Sequence, residues 1–154
     1  LTHRVAGASL TLDAIEKTKI LPLGDARAVI AIGRGAIGGG RLRSEVFRAE
    51  KLDAQLDDAV KEYLGRATIF RIDTDQNVLT VSPLFGWRQE AFIASYGRNT
   101  TAWPDRSPLE RALLEMALPK LFPSERAVLR QNTFQLKYGT FDWRLNDLTG
   151  GIPN

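Results

Sequence analysis

The chain of 154 residues contains no cysteine, a single histidine and a single methionine. Without cysteine there are no disulfides, no thiolate metal ligands and no thiol nucleophile. His3, with no second histidine and no cysteine, cannot make a standard zinc site, and its position near the chain start reads as a loose terminal residue. No apolar run approaches the roughly 20 residues that a membrane-spanning helix requires. No signal-peptide pattern is visible, and no Gly-x-Ser-x-Gly phrase marks a serine hydrolase. Repeats and low-complexity segments are lacking too. The 21 basic residues are interspersed with 18 acidic ones and never form a run longer than two, which argues against an electrostatic nucleic-acid surface.

What remains is an ordinary globular composition, 44% hydrophobic and 25% charged with a net charge of +3. The length suits one domain, expected over residues 1–149, followed by a loose tail at 150–154. Thr11 is positioned to cap a short helix through Leu12, Ile15 and Lys19, stopped by Pro22, Gly24 and Asp25. The apolar run Ala28–Ile32 reads as a buried strand. The clearest helix spans about Ala49 to Leu64, with Leu52, Leu56, Val60, Tyr63 and Leu64 on one stripe. Thr68–Ile72 and Val78–Val81 read as a hairpin about Asp73 and Asp75, whose carboxylates suit turn chemistry better than catalysis or cation binding.

Aromatic-bearing helical turns follow from Pro83 to Tyr96. Ser107-Pro108-Leu109-Glu110 is a capping box for a helix stopped near Pro119 or Pro123, and Phe134–Tyr138 is a short strand. The expected class is α+β: a single domain with a short, mostly antiparallel sheet packed with several helices.

Several phrases, in order over nearly the whole chain, resemble domain-of-unknown-function family 547. They are Ser9–Glu16, Leu23–Arg27, Leu52–Asp57, Val81–Trp87 and Phe141–Asn146. The family's upstream helix has no counterpart, so the resemblance implies that Leu1 begins partway into the domain. It also implies that Trp87 and Trp143 belong to the core, and it is compatible with an exported bacterial protein. By the same alignment, the family's two cysteines fall at Arg34 and Gly39, and its two histidines at Lys17 and Val29. Thiol acyl chemistry needs a thiol with a histidine, and these replacements supply neither. The resemblance therefore implies a degenerate, non-catalytic binding or structural module in a larger protein assembly, with no cofactor and no metal.

Two alternatives stand beside it. One is a hydrolase or transferase whose site is rebuilt from Asp25, Arg27, Arg34 and Asp142. The other rests on the glycine-rich loop at 33–40, which contains Gly-x-Gly-x-x-Gly. Its amides at Gly35, Gly38 and Gly39, with Arg34, Arg41 and Arg43 nearby, would hold a nucleotide or another anion. A dinucleotide frame also needs a preceding strand and a well-spaced acidic residue, and the spacing here is poor. A plain surface loop with solvated arginines is the simpler reading. Trp103, in a polar loop beside Pro104, is either an anchor for a protein partner or a side chain folded onto its own domain. Asn99-Thr100-Thr101 fits a glycosylation sequon.

Overall fold

Periodic apolar positions build the central helix α3 (Leu52–Leu64), entered through one tight turn at Ala49–Lys51. The computed structural model describes residues 2–5, 7–98 and 100–147. Leu56, Val60, Tyr63 and Leu64 are buried as their spacing predicts, whereas Leu52, in the first turn, is 42% exposed. The expected tail at 150–154 and Asn99 of the sequon lie outside the described residues.

Thr11 caps α1 (Leu12–Ile15), its hydroxyl accepting the Ala14 N–H at 3.0 Å. The helix widens into a π turn over Glu16–Ile20, tightens at Leu21–Leu23 and ends on Gly24 at φ 75°. The run expected as a strand is instead α2 (Arg27–Ala31), with Val29 and Ile30 buried against α3. Polar groups before the run decide this. The Asp25 carboxylate accepts the Arg27 N–H at 2.9 Å, and the Ser95 hydroxyl accepts the Ala26 N–H at 2.9 Å, so the first turn is capped. Five apolar residues carry no period that separates helix from strand.

Strands β3 (Phe70–Asp73) and β4 (Val78–Val81) form the expected antiparallel hairpin, with Asp73 opposite Val78. Asp73 accepts the Gln76 N–H at 2.9 Å and Asn77 takes a φ of 54°, which is turn chemistry as read from the sequence. Strand β5 (Gln135–Tyr138) adds in parallel beside β4. A separate hairpin, β1 (His3–Val5) and β2 (Ala8–Leu10), pairs His3 with Leu10. His3 is thus held in a strand rather than loose. This hairpin buries neither face, so no apolar alternation announces it.

Ser82 caps α4 (Pro83–Trp87), and α5 (Gln89–Phe92) follows directly, ending in a π turn over Ile93–Gly97. The capping box opens α6 (Pro108–Ala117). It ends at Ala117, close to Pro119 as expected, and after a tight turn at Leu118–Lys120 Pro123 opens a further helix, α7 (Pro123–Arg130), where the Glu125 carboxylate accepts the Phe122 N–H at 2.8 Å. Between helices and sheet lies an edge-to-face chain of rings, Tyr63–Phe85–Phe92, with centroids 6.1 and 5.1 Å apart. The architecture is a single-domain α+β fold with mostly antiparallel pairing.

Candidate functional site

The glycine-rich loop is clamped from both sides. The Ile37 and Gly38 N–H groups donate to the carbonyls of Arg144 and Asp142 at 2.9 and 2.8 Å, and the Gly39 N–H donates to the Ala36 carbonyl at 3.0 Å. The Asn146 N–H donates back to the Gly35 carbonyl at 2.7 Å, and Ala36 bridges to Leu145. From α3, the Tyr63 hydroxyl donates to the Gly38 carbonyl at 2.9 Å, and Arg66 donates to the carbonyls of Gly39 and Ile37.

An oxyanion cradle needs amides without protein partners. Those of Gly38 and Gly39 are spent on carbonyls, and helix α2 stands where a dinucleotide frame needs a strand. The glycines serve packing instead. Gly35 has a φ of 66°, and a Cβ on Gly38 would sit 2.8 Å from the Asp142 nitrogen.

Arg34 leaves the loop and turns inward. It donates to the Val29 carbonyl at 2.8 Å and to Glu16 Oε1 at 2.6 Å, while Arg88 Nε reaches the same oxygen at 3.0 Å. The Arg34 and Glu16 side chains are only 15% and 13% exposed. A Cβ on Gly39 would lie 3.3 Å from that of Arg34. Burial alone would raise the Glu16 carboxyl, but the Arg88 hydrogen bond and the two guanidinium charges hold it below its ordinary value.

Asp25 and Arg27 do come together, in a fork with Nη2 to Oδ2 at 2.7 Å, and Arg27 also reaches Asp53 and Asp57. Lys120 joins Asp57 at 3.1 Å. Asp142 pairs with Arg144 at 2.6 Å on the surface. The four residues of the rebuilt-site reading are therefore divided among three ion-pair groups. Their electrostatics also run against catalysis, because a general acid or base works best with a pKa near the working pH. For Asp25 burial pulls upward, yet the Arg27 hydrogen bonds leave it lowered. Asp57 is lowered by Arg27 and Lys120, and Asp142 by Arg144. Tyr96, beside the Asp25–Arg27 group, is pushed by burial up to about 12.

These lowered carboxyls set an expected acid response. Below their ordinary values of 4.5 for Glu16 and 3.8 for Asp25, the unfolded chain takes up protons that the folded chain refuses. Their contribution to stability is complete above those values and is lost as pH falls through the lower, folded ones. Thermal melting followed at stepwise lower pH should be level near neutrality and fall steeply below about pH 4.5. A melting temperature unchanged down to about pH 3 would contradict the ion-pair geometry.

Two of the three tryptophans depart from the expected core position, and Trp103 takes the second of its two readings, folded onto its own domain. Trp87 is 47% and Trp143 is 68% exposed, rather than core. They stack with centroids 5.6 Å apart and planes 21° apart, over the buried Phe141 ring, which lies 4.4 Å from Trp143. Trp103 is half-buried and packs against the core, so it is not a free-standing anchor. A hollow of about 270 Å³ beside Trp87 is lined by Lys17, Leu21 and Arg88, among others.

Sequence reasoning singled out none of Glu16, Arg88, Tyr63 and Arg66. Arg88 lies 72 residues from Glu16, and Tyr63 lies 25 from Gly38, so no local spacing announces either bond. Among the described residues, no group of acidic side chains and histidine is arranged to hold a metal, and no helix is long and apolar enough to cross a membrane. Comparison of the chain with protein-family models, curated proteins and solved structures returns no match.

Proposed function

We propose that this chain is a non-catalytic binding or structural module, a degenerate relative of family 547 that works within a larger protein assembly. The observation that carries the reading is the stacked Trp87–Trp143 pair, two large rings left open to solvent although a buried Phe141 lies directly beneath. Exposed tryptophans on a rigid base are the residue type that most often dominates protein–protein binding energy. They come from two phrases far apart in the chain, so the fold supports the pair as a unit.

Thiol acyl chemistry, which the aligned cysteines and histidines would allow, has no agent in this chain. Of the positions aligned with the family's histidines and cysteines, Val29 and Gly39 lie against Arg34, whereas the Lys17 ammonium turns to Asp13 at 2.9 Å. The Glu16–Arg34 salt bridge, joined by Arg88, occupies this part of the fold, and the chain has no cysteine to supply a thiol nucleophile there.

Trp143→Ala separates binding from folding, because a ring this exposed carries little stability of its own. Affinity capture from the source cells, followed by titration of the captured protein, should give a partner that the variant binds about 30-fold more weakly with an unchanged melting temperature. A solitary monomer that captures nothing, or turnover of ester, amide or phosphoester substrates by the purified chain, would sink the proposal.

A further inference from the structure

The amides of Ile37, Gly38 and Gly39 are spent, but the guanidinium groups that follow the loop keep open donors at Arg43. Arg41, Arg43 and Arg66 converge on Glu62 at the foot of α3, with Arg41 Nη1 at 3.2 Å from Oε1 and Arg43 Nη1 at 3.8 Å from Oε2. At 3.8 Å the second is an ion pair without a hydrogen bond. The Arg43 side chain is only 22% exposed, yet among the described residues its guanidinium makes no hydrogen bond. Its nitrogens are not sealed from solvent, so beyond the Glu62 ion pair the fork presents open donors to the space in front of it.

The space in front of it is ample. Two hollows, of about 670 and about 350 Å³, share Arg41, Glu62 and Asn146 as walls. Arg43 lines the larger one and Arg66 the smaller. Arg66 is fixed by the carbonyls of Gly39 and Ile37 and cannot swing away without unmaking the loop. The clamped loop thus serves as the rigid back wall of a cleft whose donors are guanidinium groups rather than glycine amides.

We infer that this cleft binds a small polar molecule bearing one oxyanion, a carboxylate or a phosphate, held by Arg43 and Arg41. Forked guanidinium donors match both groups in geometry as well as charge. Glu62, Glu45 and Asp147 also line the larger hollow. They disfavour a bare anion and suit a ligand whose body carries hydroxyl or amine donors. The site is separate from the tryptophan face and does not depend on the role proposed for it.

The test is a calorimetric and NMR titration of the purified chain with glycerol 3-phosphate and, separately, with glycerate, at constant ionic strength. One of the two should saturate, and which one does so identifies the oxyanion. Arg43→Gln should weaken binding about tenfold, as the loss of a charge-assisted hydrogen bond predicts. Arg41→Gln repeats the test at a side chain 71% exposed, whose replacement does not threaten folding. Glu62→Gln removes the competing carboxylate and should tighten binding several-fold, an effect that lost structure would not produce. Arg130→Gln, on a helix that lines neither hollow, should change nothing. Failure of both ligands to saturate at millimolar concentration, or equal affinity of wild type, Arg43→Gln and Arg41→Gln, would overturn the inference.

Discussion

Gly40→Ala is expected to cripple folding, whereas Gly33→Ala, seven residues earlier in the same loop, is expected to be tolerated. A Cβ on Gly40 would run into the Ile30 carbonyl oxygen and lie 3.1 Å from its carbon. Both are backbone atoms at the end of α2, so no side-chain rotation relieves the clash. Relief requires moving α2 off α3, which would expose Val29 and Ile30, 1% and 0% exposed in the native fold. Overpacking costs about 1–3 kcal/mol where side chains can shift. With backbone on both sides, the cost should exceed about 3 kcal/mol, or roughly 10 °C in melting temperature for a domain of this size.

At Gly33 the nearest atom to a new Cβ is 3.8 Å away, and the backbone is not left-handed. Alanine there restricts the unfolded chain and should leave stability level or raise it by a few tenths of a kcal/mol. Calorimetry on the two variants decides the matter. Equal melting temperatures would mean that the loop does not pack against α2 as described.

Removing the Glu16 carboxylate is the second large expected effect. In Glu16→Ala, Arg34 and Arg88 would face each other with no anion between them, and Arg34 is largely shielded from water. Breaking one side of a buried ion pair costs about 3–5 kcal/mol. Because some solvent reaches this group, about 2–4 kcal/mol is the expectation. Arg34→Met should cost less, since it removes a charge together with its desolvation and leaves Arg88 to hold Glu16.

The double variant Glu16→Ala/Arg34→Met should be more stable than the sum of the single losses implies. Residues that share one hydrogen-bonded network couple rather than add. Denaturant unfolding of the three variants measures the coupling directly. Strict additivity, or a loss below about 0.5 kcal/mol for Glu16→Ala, would refute the proposed burial of the pair.

Legibility in the sequence followed the physical range of each signal. The Thr11 and Ser107 caps, the period of α3, and the β3–β4 turn with Asp73 and Asn77 are decided within four residues, and each was readable. α2 was misread because Asp25 and Ser95 cap it, and Ser95 lies 69 residues away from the amide that it accepts. α7 was missed because a proline at the first helical position resembles a stop when seen only from the helix before it. Of the candidate site residues, Asp25 and Arg27 are neighbours both in sequence and in space. Arg34 found its partner in Glu16, and its chemistry changed from a loop cation to a buried counter-ion.

By itself, the sequence determined the α+β class, the locally capped helices, the absence of any thiol, and the glycine-rich loop at 33–40. Those follow from composition and from interactions that close within a turn. The tertiary structure alone decided that the amides of Ile37, Gly38 and Gly39 are consumed, that the glycines admit backbone from α2 and from the Phe141–Asn146 segment, and that two tryptophans meet on the surface. Each is an encounter between distant segments, and the spacing along one segment carries no record of its partner. The glycine loop shows the difference most plainly: its residues permit either an anion cradle or close packing, and the choice belongs to the chains that reach it.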